Sequence, residues 1–110
     1  MVVRQPADPQ SIQRIFDLAG DPDKVGTTST VEYDMMGRGL TKYDVCDILR
    51  DWIDQDNEVR RTTMMGQDAG APGYEIKPTI DNVLFYIKVV VRHPGTPDEM
   101  LYIVSVHPNR

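Results

Sequence analysis

The sequence has a single cysteine, only two histidines and no apolar run long enough to cross a bilayer. A lone Cys46 cannot form an internal disulfide, which agrees with a reducing compartment. The segment from Met1 to Leu18 lacks the basic start, the long apolar stretch and the cleavage site of a secretory signal. We therefore expect a cytoplasmic protein without a membrane partner.

Motifs for metals and phosphates are also missing. The two histidines are far apart and Cys46 is alone in a helical segment, so no zinc spacing is present. The segment DWIDQDNE has alternating acids like the start of a calcium loop, but Val59 and Met65 stand where that loop requires glycine and glutamate. There is no glycine-rich phosphate loop. We expect neither a metal nor a cofactor.

An excess of basic residues, typical of nucleic-acid-binding proteins, is absent as well, and the formal net charge is -5. The charges are distributed unevenly. Residues 1–57 contain 11 acidic and 6 basic residues, whereas residues 58–110 contain 6 of each. Because the electric field depends on where charges lie, the second half could still present one electropositive face.

The 110 residues suffice for one domain, 1–110, and the first half contains three segments with helical spacing. The first is capped by Asp8 or Ser11, and the third begins with a Thr41–Asp44 capping box. Between the first two, DPDKVGTTST is predicted to be a turn-rich linker. The three helical segments are DPQSIQRIFDLAG, STVEYDMMGRG and LTKYDVCDILRDWID.

After Asn57 the apolar residues alternate, which is typical of strands. Pro78 interrupts one of them or confines it to an edge. The predicted strands are EVRRTTMM, YEIKPTI, VLFYIKVVVRH and MLYIVSVH, with PGTPDE joining the last two as a hairpin. The sequence thus predicts an α+β, two-layer fold, with N-terminal helices packed on one face of a C-terminal antiparallel sheet of three to four strands.

In VLFYIKVVVRH, the odd positions from Val83 to Val91 are all apolar and are expected to face the helices. The even positions, with Tyr86, Lys88 and Arg92 among them, are expected to face away. We expect Arg92 to be an exposed residue at the strand end.

The last predicted strand, MLYIVSVH, has a more polar alternate set, which consists of Leu101, Ile103, Ser105 and His107. If this set faces outward, His107 lies on the same face as Tyr86 and Lys88. Lys77, and whichever of Arg60 and Arg61 points outward, would join them.

These side chains suit RNA cleavage without a metal, which needs a base, an acid and fixed positive charge near the phosphate. Tyr86 and His107 are candidates for proton transfer. The candidates for holding phosphate are Lys77, Lys88 and Arg60 or Arg61. A simple solvated sheet face, with Lys and Arg stems covering apolar surface, is the alternative interpretation.

Three segments, GLTKYDVCDILRDW, FYIKVVV and LYIVSVH, resemble the motility quorum-sensing regulator (MqsR) toxins of the RelE-like group. The similarity extends from about Ile12 to His107. It implies a metal-independent messenger-RNA endoribonuclease of a type II toxin–antitoxin pair. The implied partners are single-stranded RNA and a cognate antitoxin protein, and a second copy of the chain is a further candidate.

The resemblance also implies roles for particular residues. Tyr86 in FYIK matches the strand tyrosine of the family, and Lys88 matches the lysine that follows it. His107 stands where the family has a lysine at the end of the last strand, and Gln67 is the candidate for its glutamine. The implied catalytic residues are Tyr86, His107 and Arg61, and the implied RNA-binding residues are Arg60, Lys77, Lys88 and Gln67.

Two alternative functions stay open. The first is a non-catalytic module of the same fold that binds a protein or peptide with its sheet face or edge. The second is a small-molecule site between helices and sheet, for which the sequence shows no polar constellation.

Overall fold

The computed structural model describes residues 5–109, so the ends of the predicted 1–110 domain, residues 1–4 and 110, lie outside it. The described residues form three helices and six strands. The helices are α1 Pro9–Ala19, α2 Ser29–Met36 and α3 Lys42–Asp54. The strands are β1 Val25–Thr27, β2 Arg60–Thr62, β3 Gly73–Ile76, β4 Thr79–Ile80, β5 Val83–Arg92 and β6 Met100–Pro108.

The helices begin where the sequence predicts. The side chain of Asp8 accepts a 2.7 Å hydrogen bond from the Ser11 backbone N–H and caps α1. This bond is the main reason why the pKa of Asp8 is lowered. Thr41 and Asp44 form the predicted reciprocal capping box at the start of α3. None of the helices in residues 5–109 is long and apolar enough to cross a membrane.

The strand order in the sheet is β1-β6-β5-β3-β2, and β4 pairs with β5 outside this order. All pairs are antiparallel except β1 with β6, which are parallel. The sheet is therefore mixed and has six strands, more than the three to four expected. The predicted linker DPDKVGTTST is wrong in part, because it contains β1. Three residues are too few to show an alternating pattern, yet pairing with β6 buries Val25.

One apolar core joins the three helices to one face of the sheet. It contains Ile15 and Leu18 of α1, Val31 and Met35 of α2, and Val45 and Leu49 of α3, together with inward residues of the strands. On β5 these inward residues are Phe85, Ile87, Val89 and Val91, as the alternation predicts. The prediction is wrong for Val83, which is 44% exposed at the start of the strand. The predicted α+β architecture, with helices against one face of a C-terminal sheet, is confirmed. We call the opposite face the outer face.

The pairing of β5 with β6 contains a β-bulge. Lys88 pairs with Ser105, but the next residue, Val89, pairs with Ile103, so Val104 is an extra residue. The bulge reverses the alternation along β6. Ile103, like Leu101, is consequently buried in the core, and the prediction that these two face outward with Ser105 is wrong.

The half of the outer face near the C-terminal end of β5 is covered by the loop between β2 and β3. Met64 of this loop lies over Gly73, where a Cβ atom would come within 2.4 Å of its sulfur. Val90, an even position of β5, is fully buried, although the alternation predicts that it faces away from the core. The prediction that the even positions of β5 face away from the core into solvent is therefore wrong where this loop covers the sheet.

An ion pair fastens this loop to the sheet. Arg92 donates two hydrogen bonds to the carboxylate of Asp68, at 2.8 and 2.9 Å, and its guanidinium lies 3.9 Å from the centre of the Tyr102 ring. Arg92 is therefore a half-buried anchor, and the expectation of an exposed strand-end residue is wrong. The hydrogen bonds from Arg92 lower the pKa of Asp68 below 3.8, while burial opposes this shift.

We expect Asp68→Asn to lower the free energy of unfolding by about 1 kcal/mol at neutral pH, because it removes the charge that Arg92 binds. A carboxyl group whose pKa is lowered by folding stabilises the native state above its unfolded pKa. That contribution is lost as the pH falls through the lowered value, that is, below 3.8. Urea unfolding of both proteins at several pH values measures the difference. A difference that persists at the acid end would contradict the assignment.

Candidate active site on the outer face of the sheet

The other half of the outer face brings together side chains from β2, β3, β5 and β6. Tyr86 pairs directly with His107, and Lys88 pairs directly with Ser105. Across the other edge of β5, Lys88 pairs with Glu75, which in turn pairs with Arg60. Directly paired residues share a face of the sheet, so these side chains form one continuous polar patch.

The centre of this patch is a short hydrogen bond. The hydroxyl of Tyr86 donates to Oε2 of Glu75 at 2.6 Å. Glu75 is only 2% exposed, whereas Tyr86 is half-buried, so solvent reaches the phenol more readily than the carboxyl group. A bond this short to a carboxyl oxygen belongs to the strong class and fixes the orientation of the phenol.

His107 packs flat on Tyr86. The two ring centres are 5.3 Å apart and the ring planes are inclined by 18°. Nδ1 of His107 lies 2.9 Å from the carbonyl oxygen of Pro108. Because a carbonyl oxygen can only accept, a hydrogen bond here requires the proton on Nδ1 and leaves Nε2 to exchange a proton with a ligand. Tyr86, Glu75 and His107 together are called the Tyr86 cluster below.

Two cations border the Tyr86 cluster. The ammonium of Lys88 makes a long 3.4 Å contact with the carbonyl oxygen of Thr63. The guanidinium of Arg60 lies 3.2 Å from the carboxylate of Glu58, and both of these side chains are about half exposed. A solvated pair of this kind contributes little stability and exchanges readily for another anion.

Of the remaining predicted site residues, Arg61 and Gln67 lie apart from the cluster. Arg61 pairs with Tyr74, a core residue, so its side chain projects to the helix side of the sheet, where its charge also contributes to lowering the pKa of Asp8. Gln67 lies in the loop near His93, beyond the opposite end of β5 from Tyr86. Lys77 is exposed directly after β3, two positions beyond Glu75.

Sequence reasoning missed Glu75. The predicted site contains no acid, and Glu75 lies between Tyr74 and Ile76 in a predicted strand. A signal was nevertheless present, since Glu75 has the same alternation parity as Lys77, which was assigned to the outer face. What the sequence could not supply was the burial of Glu75, which depends on neighbouring strands.

Chemically, the cluster joins groups that can exchange protons to groups that can neutralise an anion. A phenol, an imidazole and a carboxyl group are in contact, and an ammonium and a guanidinium lie in the adjacent rows. Within residues 5–109, no three His, Cys, Asp or Glu side chains are close enough together to hold a metal ion. The patch combines groups of the kinds that acid–base chemistry on a bound anion requires.

Comparison of the chain with protein-family models, with curated proteins and with solved structures gives no significant match.

Proposed function

We propose that the protein is a metal-independent endoribonuclease that cleaves messenger RNA, acting as the toxin of a type II toxin–antitoxin pair. The observation that carries the proposal is the Tyr86 cluster, in which Tyr86 contacts both a buried carboxyl group and an imidazole. Those are the two proton-exchanging partners that cleavage by an internal 2′-hydroxyl needs. The resemblance of FYIK and LYIVSVH to the MqsR toxins supports the same assignment.

In the proposed reaction, the 2′-oxygen attacks the adjacent phosphorus and the bond from phosphorus to the 5′-oxygen breaks. The 2′-hydroxyl gives its proton to the oxygen of Tyr86, as Tyr86 passes its own proton to Glu75. Protonated His107 delivers a proton from Nε2 to the leaving 5′-oxygen. The products are a 2′,3′-cyclic phosphate and a 5′-hydroxyl. Glu75, which solvent barely reaches, acts through Tyr86.

Lys88 and Arg60 supply positive charge to the non-bridging phosphate oxygens, where negative charge grows in the transition state. Both residues lie in the rows next to the cluster. Arg60 takes this role and not Arg61, because only Arg60 shares the outer face with Tyr86. With a net charge of -5, RNA binding rests on this local patch and not on the overall charge.

The proposed setting is the bacterial cytoplasm, with single-stranded RNA as substrate and a cognate antitoxin protein as the neutralising partner. A second copy of the chain is a further partner to examine by analytical ultracentrifugation.

The test is cleavage of a long single-stranded RNA by purified protein in EDTA. We expect wild-type protein to produce fragments with 5′-hydroxyl ends, and His107→Ala to be about 100-fold slower, because the acid that protonates the leaving oxygen is lost. The matched control is His93→Asn, at the only other histidine. Residue 93 is exposed and has a positive φ of 53°, a conformation that Asn tolerates.

Intact RNA after prolonged incubation with wild-type protein, together with normal host growth on induction, would refute the proposal. Equal losses of activity in His107→Ala and His93→Asn would refute the role of His107.

One surface favours the alternative function, a non-catalytic module that binds a protein or peptide. Met36, which is 76% exposed, lines a groove of about 510 Å³ with Leu40 and the edge strand β1. The ammonium of Lys42 already occupies the carbonyl oxygen of Val25 on that edge, at 3.2 Å. Main-chain pairing along β1 is therefore partly blocked, as is common at natural sheet edges, and the alternative ranks second.

A further inference from the structure

A second concave site adjoins the Tyr86 cluster. It lies where the end of α3 meets the β2–β3 edge of the sheet and has a volume of about 350 Å³. We call it the Trp52 pocket. Its lining residues are Trp52, Asn57, Glu58, Arg60, Glu75, Ile76 and Lys77. Glu75 belongs both to this pocket and to the Tyr86 cluster, so the two sites meet at one residue.

The wall of the pocket is a flat aromatic surface whose orientation is fixed. The indole N–H of Trp52 donates to the backbone carbonyl of Glu58 at 2.9 Å. Part of the same side chain packs on the apolar core, which supports it from behind. An indole held in this way presents a ready stacking surface, because little side-chain entropy is lost when a ring settles on it.

The other groups of the pocket are of two kinds. Arg60 and Lys77 are cationic, and Lys77 is exposed. Glu58 and the amide of Asn57 offer hydrogen-bond acceptors. A plain anion such as phosphate would be attracted by the two cations and repelled by the carboxyl group of Glu58. A nucleotide satisfies both, since its base has N–H donors and a π face while its phosphate is negative.

We infer that the Trp52 pocket binds one nucleotide of single-stranded RNA, with the base stacked on Trp52 and the phosphate beside Lys77 and Arg60. This assignment rests on the proposed function, because the bound nucleotide is the one that adjoins the scissile phosphate at the Tyr86 cluster. Stacking on an aromatic side chain contributes about 1–3 kcal/mol per base and is tolerant of sequence. The pocket therefore positions the strand without strict base selection, and Lys77 contributes to it by binding phosphate.

The chain offers a direct probe of this site, because Trp52 is its only tryptophan. A base that stacks on the indole quenches its fluorescence, so saturable quenching, corrected for absorption by the base, reports on binding at Trp52. The ligand is a short 2′-O-methyl oligoribonucleotide, which lacks the attacking hydroxyl and stays uncleaved. We expect saturable quenching by the oligonucleotide, and weaker saturable quenching by adenosine monophosphate.

Two variants and a matched control sharpen the test. Lys77→Gln should raise the dissociation constant about 3- to 10-fold and lower the slope of log affinity against log salt by about 0.7, because one phosphate contact is lost. Trp52→Phe keeps part of the stacking surface and should slow RNA cleavage several-fold at limiting substrate. Lys24→Gln removes an exposed lysine next to β1, at the other edge of the sheet, and should change neither quantity.

The outcomes separate this inference from the proposed function. Cleavage of RNA without any change in Trp52 emission, or equal effects of Lys77→Gln and Lys24→Gln, would overturn the pocket assignment and leave the ribonuclease proposal intact. Saturable quenching without RNA cleavage would support a nucleotide-binding pocket and refute the ribonuclease proposal. If neither is seen, both fail.

Discussion

Tyr86→Phe is expected to reduce RNA cleavage by about 1,000-fold, because it removes the oxygen that accepts the 2′-hydroxyl proton and breaks the link to Glu75. Phenylalanine retains the ring and its stacking on His107, so the change is confined to one hydroxyl group. The measurement is the initial rate of RNA cleavage in EDTA. Toxicity on induction should fall in parallel, giving a second readout in the host.

The same substitution carries a stability cost that must be measured alongside activity. The hydroxyl of Tyr86 donates to Glu75 at 2.6 Å, and loss of a hydrogen bond to a buried acceptor costs about 1–3 kcal/mol. The activity assay is therefore run well below the unfolding midpoint of the variant. Tyr33→Phe, at a tyrosine of α2 that is 79% exposed, is the matched control and should change neither stability nor rate.

A Tyr86→Phe protein that is folded and cleaves within about threefold of the wild-type rate would contradict the role of Tyr86 as proton acceptor. Glu75→Gln tests separately whether Glu75 takes the proton that Tyr86 gives up. An amide cannot take the proton, yet it still accepts the hydrogen bond from Tyr86 through its carbonyl oxygen. A loss in Glu75→Gln similar to that in Tyr86→Phe would support proton transfer through both groups.

The sequence predicts the helices well because their signals are local. A capping residue and a 3.6-residue apolar spacing lie within one segment in both α1 and α3, and Gly20 directly follows α1. The long strand β5 is equally clear, since its inward positions are uniformly apolar. The strand β1 is not predictable in this way, because it is three residues long and is defined by its parallel pairing with β6.

In the candidate site, too, local patterns predict some side-chain positions correctly, whereas positions that depend on tertiary contacts are not predicted. Strand alternation correctly puts Tyr86, Lys88 and His107 on one face, because each has a fixed parity within its strand. Alternation alone leaves Arg60 and Arg61 equivalent until the register with β3 is known. The burial of Glu75 and the covering of Val90 are tertiary effects. Both depend on segments that are distant in the sequence, and no local pattern encodes them.

The β-bulge at Val104 resolves a conflict that strict alternation leaves in β6. Leu101, Ile103 and His107 have the same parity, so an unbroken strand would place all three on one face. The extra residue lets the first two complete the core while His107 joins Tyr86 on the outer face. Bulges are common next to active sites because they redirect side chains in this manner.

Leu101→Ala is therefore expected to lower the free energy of unfolding by about 2–5 kcal/mol, since Leu101 is fully buried and its loss leaves a cavity against the helices. This is a large part of the total stability of a small domain, about 5–15 kcal/mol. Val104→Ala, at the half-buried extra residue, should cost only about 1 kcal/mol. Urea unfolding followed by circular dichroism measures both values.

The comparison tests the bulge itself, because strict alternation predicts the reverse order. In an unbroken strand with His107 outward, Leu101 would lie on the outer face and Val104 would point into the core beside Val106. A larger loss of stability in Val104→Ala than in Leu101→Ala would therefore contradict the assignment of a bulge at Val104. It would also contradict our explanation of how β6 places Leu101 and Ile103 in the core and His107 on the outer face.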